Sequence, residues 1–212
     1  MFTHKRDQAT SEDETNYRSG VDPLVEAGSL GAILMQFPWS FKNTPEDQAY
    51  LDSLIHRFAE YPLVVEVRNS SWNDPEVYSS FEERGIGFCN IDQPLFSRSI
   101  KPSALTTSPV GYVRLHGRNY EHWFAEFSDD ARARAERYNY LYSTKELEPW
   151  VDKIKEIARQ SVETYVITNN HFQGKGVVNA LEIEHLLTGD TPPGPPSLFN
   201  QYPRIKDSAI PE

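Results

Sequence analysis

The sequence predicts an α/β fold in which parallel strands alternate with helices, and two observations carry that reading. Five short runs rich in β-branched and aromatic residues are nearly continuous in apolar character, as strands covered on both faces must be. Segments with helical spacing lie between most of them, so the connections are expected to be right-handed crossovers. At 212 residues the chain fits one domain, residues 1–190, followed by a proline-rich tail, residues 191–212.

The first strand is expected at Gly31–Phe37. The segment Pro45–Tyr61 places Leu51, Leu54, Ile55 and Phe58 on one helical face. A second strand, Leu63–Asn69, leads to a helix over Asp74–Arg84, with Pro75 suited to its first turn. Strands at Gly87–Asp92 and Gly111–Gly117 follow, then a long insertion, Asn119–Tyr142, whose middle from Asp129 to Tyr142 reads as helical. Ser143 and Glu146 have capping-box spacing ahead of a helix over Trp150–Ala158, with Pro149 obscuring its start. The fifth strand is Thr164–Asn170, and Gly176–Leu187 is a helix with a stop at Gly189. Thr191–Glu212 holds six prolines and is expected on the surface or disordered. There are no internal repeats.

Composition excludes several classes of function. With 21 basic and 31 acidic side chains the net charge is −10, which argues against nucleic acid or an anionic membrane as partner, since both select positive potential. No apolar run approaches a membrane span, and no signal peptide opens the chain. The single cysteine, Cys89, excludes a disulfide framework and fits a reducing, cytoplasmic compartment.

Candidate chemistry gathers at strand ends. Side chains alternate across a strand, so Glu66 shares a face with Arg68, Arg114 with His116, Asn90 with Asp92, and Thr168 with Asn170, while Gln36 lies near the end of its own strand. Burying unpaired charge costs several kcal/mol, so this recurrence favours a site at the C-terminal strand ends, where α/β proteins build theirs. An internal ion-pair network of Glu66 and Asp92 with Arg68 and Arg114 is the competing reading. Trp39, Trp72, Phe96, Trp123 and Phe172 each follow a strand end and offer flat apolar surfaces to a ring. The run from His171 to Gly176 enters a helix with Gly174, Lys175 and Gly176 placed to receive an anion, although the Walker spacing is absent.

Taken together, Gln36-Phe37-Pro38 with Ser40-Phe41, Glu66-Val67-Arg68-Asn69 with Ser71-Trp72, Asp92-Gln93-Pro94, Tyr112 through Arg118, and Asn169-Asn170 followed by Gly176 and Asn179-Ala180 resemble the YecE-like family, domain of unknown function 72, from about Phe2 to Leu187. The resemblance implies a TIM-barrel-like (β/α) fold without an established reaction. It also implies about three strands and their helices ahead of a motif that Thr3-His4-Lys5-Arg6 matches. The five strands would then correspond to strands four to eight. The chain therefore reads as an incomplete barrel, from a misplaced start codon or a truncated gene, with open sheet edges at Gly31–Phe37 and Thr164–Asn170 that predict homo-oligomerisation.

The favoured mechanism is acid–base chemistry, hydrolysis or isomerisation, on a small polar substrate that is phosphorylated, carboxylated or carbohydrate-like. Glu66, Asp92 and His116 are the catalytic candidates. Arg68, Arg114 and Arg118 would clamp the anion, and Gln36, Trp72, Asn90, Asn169, Asn170, Lys175 and Gly176 would line the site. No cofactor and no metal are expected. A divalent-metal hydrolase or isomerase using Glu66, Asp92, His116 and His4 or His171 is an alternative, opposed by the three arginines. A non-catalytic binding barrel, or an inactive truncated copy, is the other. His56 is expected on the surface, Cys89 as a small buried hydrophobe, and Glu182, Glu184 and His185 on a solvated helix face.

Overall fold

The structure, a computed structural model, describes residues 1–124 and 130–212. Its central element is a five-stranded, all-parallel sheet in sequence order, made of β1 (Ile33–Gln36), β2 (Leu63–Glu66), β3 (Gly87–Asp92), β4 (Val110–Leu115) and β5 (Glu163–Thr168). All five predicted strands are present. Four differ at their ends, chiefly because the polar residues after the last ladder pair turn into the loops at that rim. Glu66 pairs in register with Gln36, Ile91 with Arg114, and Arg114 with Ile167.

The helices between strands follow their local signals. Thr44 caps α2 (Pro45–Arg57) by accepting from the Asp47 N–H, and Asp74 caps α3 (Pro75–Glu83) by accepting from the Glu76 N–H at 2.9 Å. The Glu146 carboxylate accepts from both the N–H and the hydroxyl of Ser143 at the start of α5 (Thr144–Gln160). This helix begins earlier than the apolar spacing suggested, because Pro149 near its start removes only one backbone donor. α6 (Lys175–Thr188) stops at Gly189, which adopts φ 80°. Within the long insertion, α4 spans Ala131–Glu136; the expected start at Asp129 lies outside the described residues.

The helix ahead of β1 escaped the sequence reading. α1 (Ser11–Glu26) is opened by a capping box between Thr10 and Asp13, but Gly20 and Pro23 interrupt its pattern and none of its residues is buried. It is anchored by its own Arg18, which donates to the Arg57 carbonyl at 2.5 Å and to Glu60, and is held along the helix by Glu14 at 2.9 Å. No described helix is long and apolar enough to cross a membrane.

The core lies between the sheet and the helices on one face. Val65, Phe37, Phe41, Trp72 and Phe81 belong to the half under α2 and α3, whereas Val113, Leu115, Trp150, Ile154 and Ile157 pack under α5. The other face is curled inward. Neighbouring strands lie about 4.8 Å apart, so β1 and β4 would be roughly 14 Å apart in a flat sheet. Yet Arg114 on β4 donates to Gln36 on β1 at 2.5 Å, and a Cβ at Gly31, just ahead of β1, would overlap the Tyr165 hydroxyl from β5. The sheet is therefore a curled half-barrel, and the residues that meet inside it come from distant strands.

The proline-rich tail differs from expectation, because it is packed. After a short parallel pairing of β6 (Pro193–Gly194) with β7 (Ile210–Pro211), α7 (Pro196–Gln201) and a following turn bury Leu198, Phe199 and Ile205 against Val178 and Leu181 of α6. Proline removes backbone donors but leaves the apolar side chains free to pack. Ile205 is fully buried, so Ile205→Ala should lower unfolding free energy by about 2–4 kcal/mol in urea titrations. A change below about 0.5 kcal/mol, typical of a surface site, would show that the tail is not docked.

Candidate active site

Alternation along each strand divides the predicted site residues between two faces. Gln36, Glu66, Arg68, Arg114, His116 and Asn169 point inside the curl, while Asn90, Asp92 and Asn170 point to the helices. The structure thus builds two ionic clusters where a single rim was expected.

The inner cluster is centred on Glu66, which is fully buried. Its Oε1 accepts from Arg68 Nε at 3.1 Å and lies 3.0 Å from His116 Nε2. Its Oε2 accepts from Arg114 Nη1 at 2.5 Å, and Cys89 Sγ lies 3.9 Å away. Asn169 Nδ2 meets His116 Nδ1 at 3.1 Å; an amide donating there leaves the imidazole proton on Nε2, facing Glu66. Trp123 closes the cluster, with its ring 6.3 Å from that of His116 and Arg68 over it at 5.5 Å.

Electrostatics follow from this geometry. Burial opposes ionisation of Glu66, but His116, Arg68 and Arg114 outweigh it and hold the carboxyl well below its ordinary range. Burial also pushes His116 down; Glu66 pulls it up, Arg68 and Arg114 oppose that pull, and the imidazole settles at about 4. At neutral pH the pair is a carboxylate beside a neutral imidazole. Burial, with Glu66 alongside, raises the Cys89 thiol, and this keeps it a protonated, buried side chain as expected.

Several buried groups near this cluster keep unused hydrogen-bonding capacity. Among the described residues, Gln93 Oε1 and Trp39 Nε1 have no hydrogen bond, whereas Arg68 Nη2 and His116 Nε2 lie 3.1 and 3.0 Å from Glu66 Oε1 without good alignment. Gln93 Nε2 donates to the Arg68 carbonyl at 3.0 Å. Buried polar atoms are normally satisfied, and exceptions concentrate where a ligand or reaction uses them.

The outer cluster is saturated. Asp92 accepts from Arg118 Nε at 2.8 Å and Nη2 at 2.6 Å, from the Tyr142 hydroxyl at 3.0 Å, and from Trp150 Nε1 at 2.5 Å. Both carboxylate oxygens are thus taken by two donors each, and the group sits under α5 on the far side of the sheet from Glu66. The expectation that Asp92 joins Glu66 and His116 in one site is therefore corrected: Cys89 and Ile91 share the Glu66 face, and Asp92, one residue on, must take the opposite one. This also parts Asp92 from Glu66 and His116 as a metal donor, and the described residues contain no group of three or more acidic, His or Cys side chains arranged around a cation.

The remaining candidates hold structure together. Trp72 stacks on Phe41 at 5.1 Å and donates its indole N–H to the Phe41 carbonyl at 3.1 Å, so it lies in the core. Asn90 binds Leu105 through its N–H and carbonyl at 2.8 Å each, fastening the loop before β4. Asn170 donates to the Tyr140 carbonyl and to Asn179, both at 2.8 Å. Lys175 binds Asn139 and covers Phe172. Gly176 permits close approach of α6 to β5: a Cβ there would lie 3.0 Å from the Thr168 carbonyl oxygen. Glu182, expected in solvent, is buried between Asn179 and Arg204. Sequence reasoning overlooked Gln93, although it stands inside a quoted motif, and Tyr142, for which no local signal exists.

Comparison with known proteins agrees with this architecture. The family described as a protein of unknown function, DUF72, matches residues 1–198. The UPF0759 protein YunF of Bacillus subtilis (strain 168) is 29% identical over 177 residues, covering 81% of this chain and 62% of the relative, so the chain spans less than two thirds of that protein's length. A DUF72 family crystal structure from Thermotoga maritima MSB8 superposes with a TM-score of 0.77 at 36% identity, covering 87% of this chain and 69% of the other. One from Enterococcus faecalis V583 gives 0.74 at 29% identity, covering 85% and 66%.

Proposed function

Because this chain belongs to the DUF72 family, whose description assigns no function, we propose a function from the site itself: acid–base catalysis on a small anionic substrate by Glu66 and His116, with hydrolysis or isomerisation of a phosphorylated or carboxylated, carbohydrate-like compound as the reaction class. The observation that carries this reading is a buried carboxylate shared by two arginines and a histidine whose far nitrogen is set by Asn169.

The arginines link binding to proton transfer. Burial, with the two arginines adding to it, holds His116 too far into the acid range to exchange protons readily near neutrality, and His116 and the arginines together hold Glu66 there. An anion docked against Arg114, whose side chain is 11% exposed, cancels part of that positive charge and moves both groups toward working pH. Gln36 and Asn169 flank the docking position. Asp92 has a supporting role here, since its lone pairs are committed. The five strands are read as strands four to eight of a TIM-barrel-like fold, in a cytoplasmic protein that self-associates through its sheet edges.

The test is turnover of a panel of sugar phosphates and sugar acids by wild type, Glu66→Gln, His116→Gln and Arg114→Gln, with near-ultraviolet circular dichroism to verify folding. Loss of either proton-handling group should reduce kcat/KM by roughly 10²–10⁴-fold, and Arg114→Gln should mainly raise KM. Folded Glu66→Gln and His116→Gln proteins that turn over a substrate at wild-type rate would refute the assignment. The complete burial of Glu66 and His116 favours a second reading, a binding barrel without catalysis. Under it, an anionic ligand raises Tm without turnover.

A further inference from the structure

The turn that follows His116 is held by a chain of buried contacts that begins more than eighty residues later in sequence. Gly117 adopts φ 88°, and a Cβ there would lie 2.8 Å from the Tyr140 Cβ, so the chain reverses tightly directly after His116. The two backbone donors at this point are both bound: the His116 N–H to the Asp92 carbonyl at 2.9 Å, and the Gly117 N–H to the Tyr142 hydroxyl at 2.8 Å. Tyr142 is fully buried and is itself fixed at both ends of its backbone. Its N–H donates to Asn179 Oδ1 at 3.1 Å, and its carbonyl accepts from Asn179 Nδ2 at 3.1 Å and from Arg204 Nη2. Arg204, in the C-terminal segment, is anchored in turn to Glu182 Oε2 at 2.7 Å.

We propose that Tyr142 and Arg204 are positioning residues for His116, so that the Arg204 contact with Tyr142, rather than the apolar docking of the C-terminal segment, sets the geometry of the Glu66–His116 pair. The inference rests on the reading of that pair as the working site. Its physical content is that Tyr142 fills two roles with one side chain. Its ring occupies the core beneath α5, and its hydroxyl donates to Asp92 at 3.0 Å while accepting from Gly117. Tyr142→Phe keeps the ring and removes both hydrogen bonds, which frees the turn without opening a large cavity. Arg204→Gln releases the Tyr142 carbonyl from the far end of the chain of contacts.

The experiment is a pH series of long-range 1H–15N spectra of the imidazoles in the intact chain, with His116 assigned from His116→Gln. The groups facing this imidazole are Glu66, Arg68, Arg114, Asn169 and the Trp123 ring. Tyr142→Phe and Arg204→Gln should both shift the His116 nitrogens and raise its midpoint by roughly one unit, as loosened burial admits water. Arg204→Lys, which keeps one donor, should restore much of the wild-type spectrum. Leu198→Ala loosens the same segment through the apolar cluster with α6 and should lower Tm without moving His116. The proposal fails if Tyr142→Phe and Arg204→Gln lower Tm yet leave His116 unmoved, or if Leu198→Ala moves it equally. Should Tyr142→Phe not fold, Arg204→Gln, at the partly exposed end, decides alone. If His116→Gln left turnover intact, the catalytic reading would fall, while the response of His116 to Tyr142 and Arg204 would still be measurable.

Discussion

Replacing Asp92 with alanine should lower the unfolding free energy by about 3–5 kcal/mol, the cost of removing one partner from a buried ion pair. The carboxylate is fully buried and receives donors from Arg118, Tyr142 and Trp150. Without it the Trp150 indole N–H, at the centre of the α5 core, has no acceptor, and the Arg118 guanidinium loses its main counter-charge. Asp92→Asn keeps one acceptor oxygen and should cost less, roughly half as much on the scale of a hydrogen bond to a charged group. Urea titrations of both variants against Arg159→Ala provide the comparison, since the exposed Arg159–Glu156 pair is worth at most about 1 kcal/mol. An Asp92→Ala protein as stable as wild type would mean that this cluster does not fasten the strand ends to α5.

Acid should destabilise the chain over a defined window. The folded His116 protonates only at about 4, whereas in the unfolded chain it does so near its ordinary value of 6.5. Between those values the unfolded state binds the extra proton, so stability present above pH 6.5 is lost as pH falls toward 4. At about 1.4 kcal/mol per unit the loss is on the order of 3 kcal/mol. Glu66 acts in the same direction at lower pH: its folded carboxyl titrates below the ordinary 4.5, so its contribution is lost as pH falls from 4.5 downward. Urea midpoints at several pH values should decline through this window in wild type and decline much less between 6.5 and 4 in His116→Gln. Parallel profiles for the two proteins would show that His116 is not held neutral by the fold.

Much of the architecture was legible in the linear pattern. Apolar runs marked five strands, and α2, α3 and α6 announced themselves through the apolar face of Leu51, Leu54, Ile55 and Phe58, through Pro75, and through the Gly189 stop. The failures share one cause, which is that neighbours in space were needed. α1 has a capping box but no buried stripe, and it is held by Arg18 reaching Glu60 and Arg57. The prolines of the tail suggested a surface or disordered segment, yet Leu198, Phe199 and Ile205 are spaced to cover α6. Trp72 follows a strand end like a ligand platform, but Phe41 folds back beneath it.

The site divides in the same way. Period-two alternation already joined Glu66 to Arg68 and Arg114 to His116, because each pair lies within a single expected strand. It could not say which face each pair took. In strands buried on both sides, apolar character carries no mark of inside or outside, so Asp92 and Glu66 looked equivalent. Register and curl separated them: pairing aligned Glu66 with the Cys89 side of β3, and curvature brought Arg114 to Glu66 and Gln36. Sequence alone determined which ionisable groups this chain must accommodate and which strands carry them. Only the tertiary structure decided which of them meet, because meeting depends on distances across strands that no local interaction encodes.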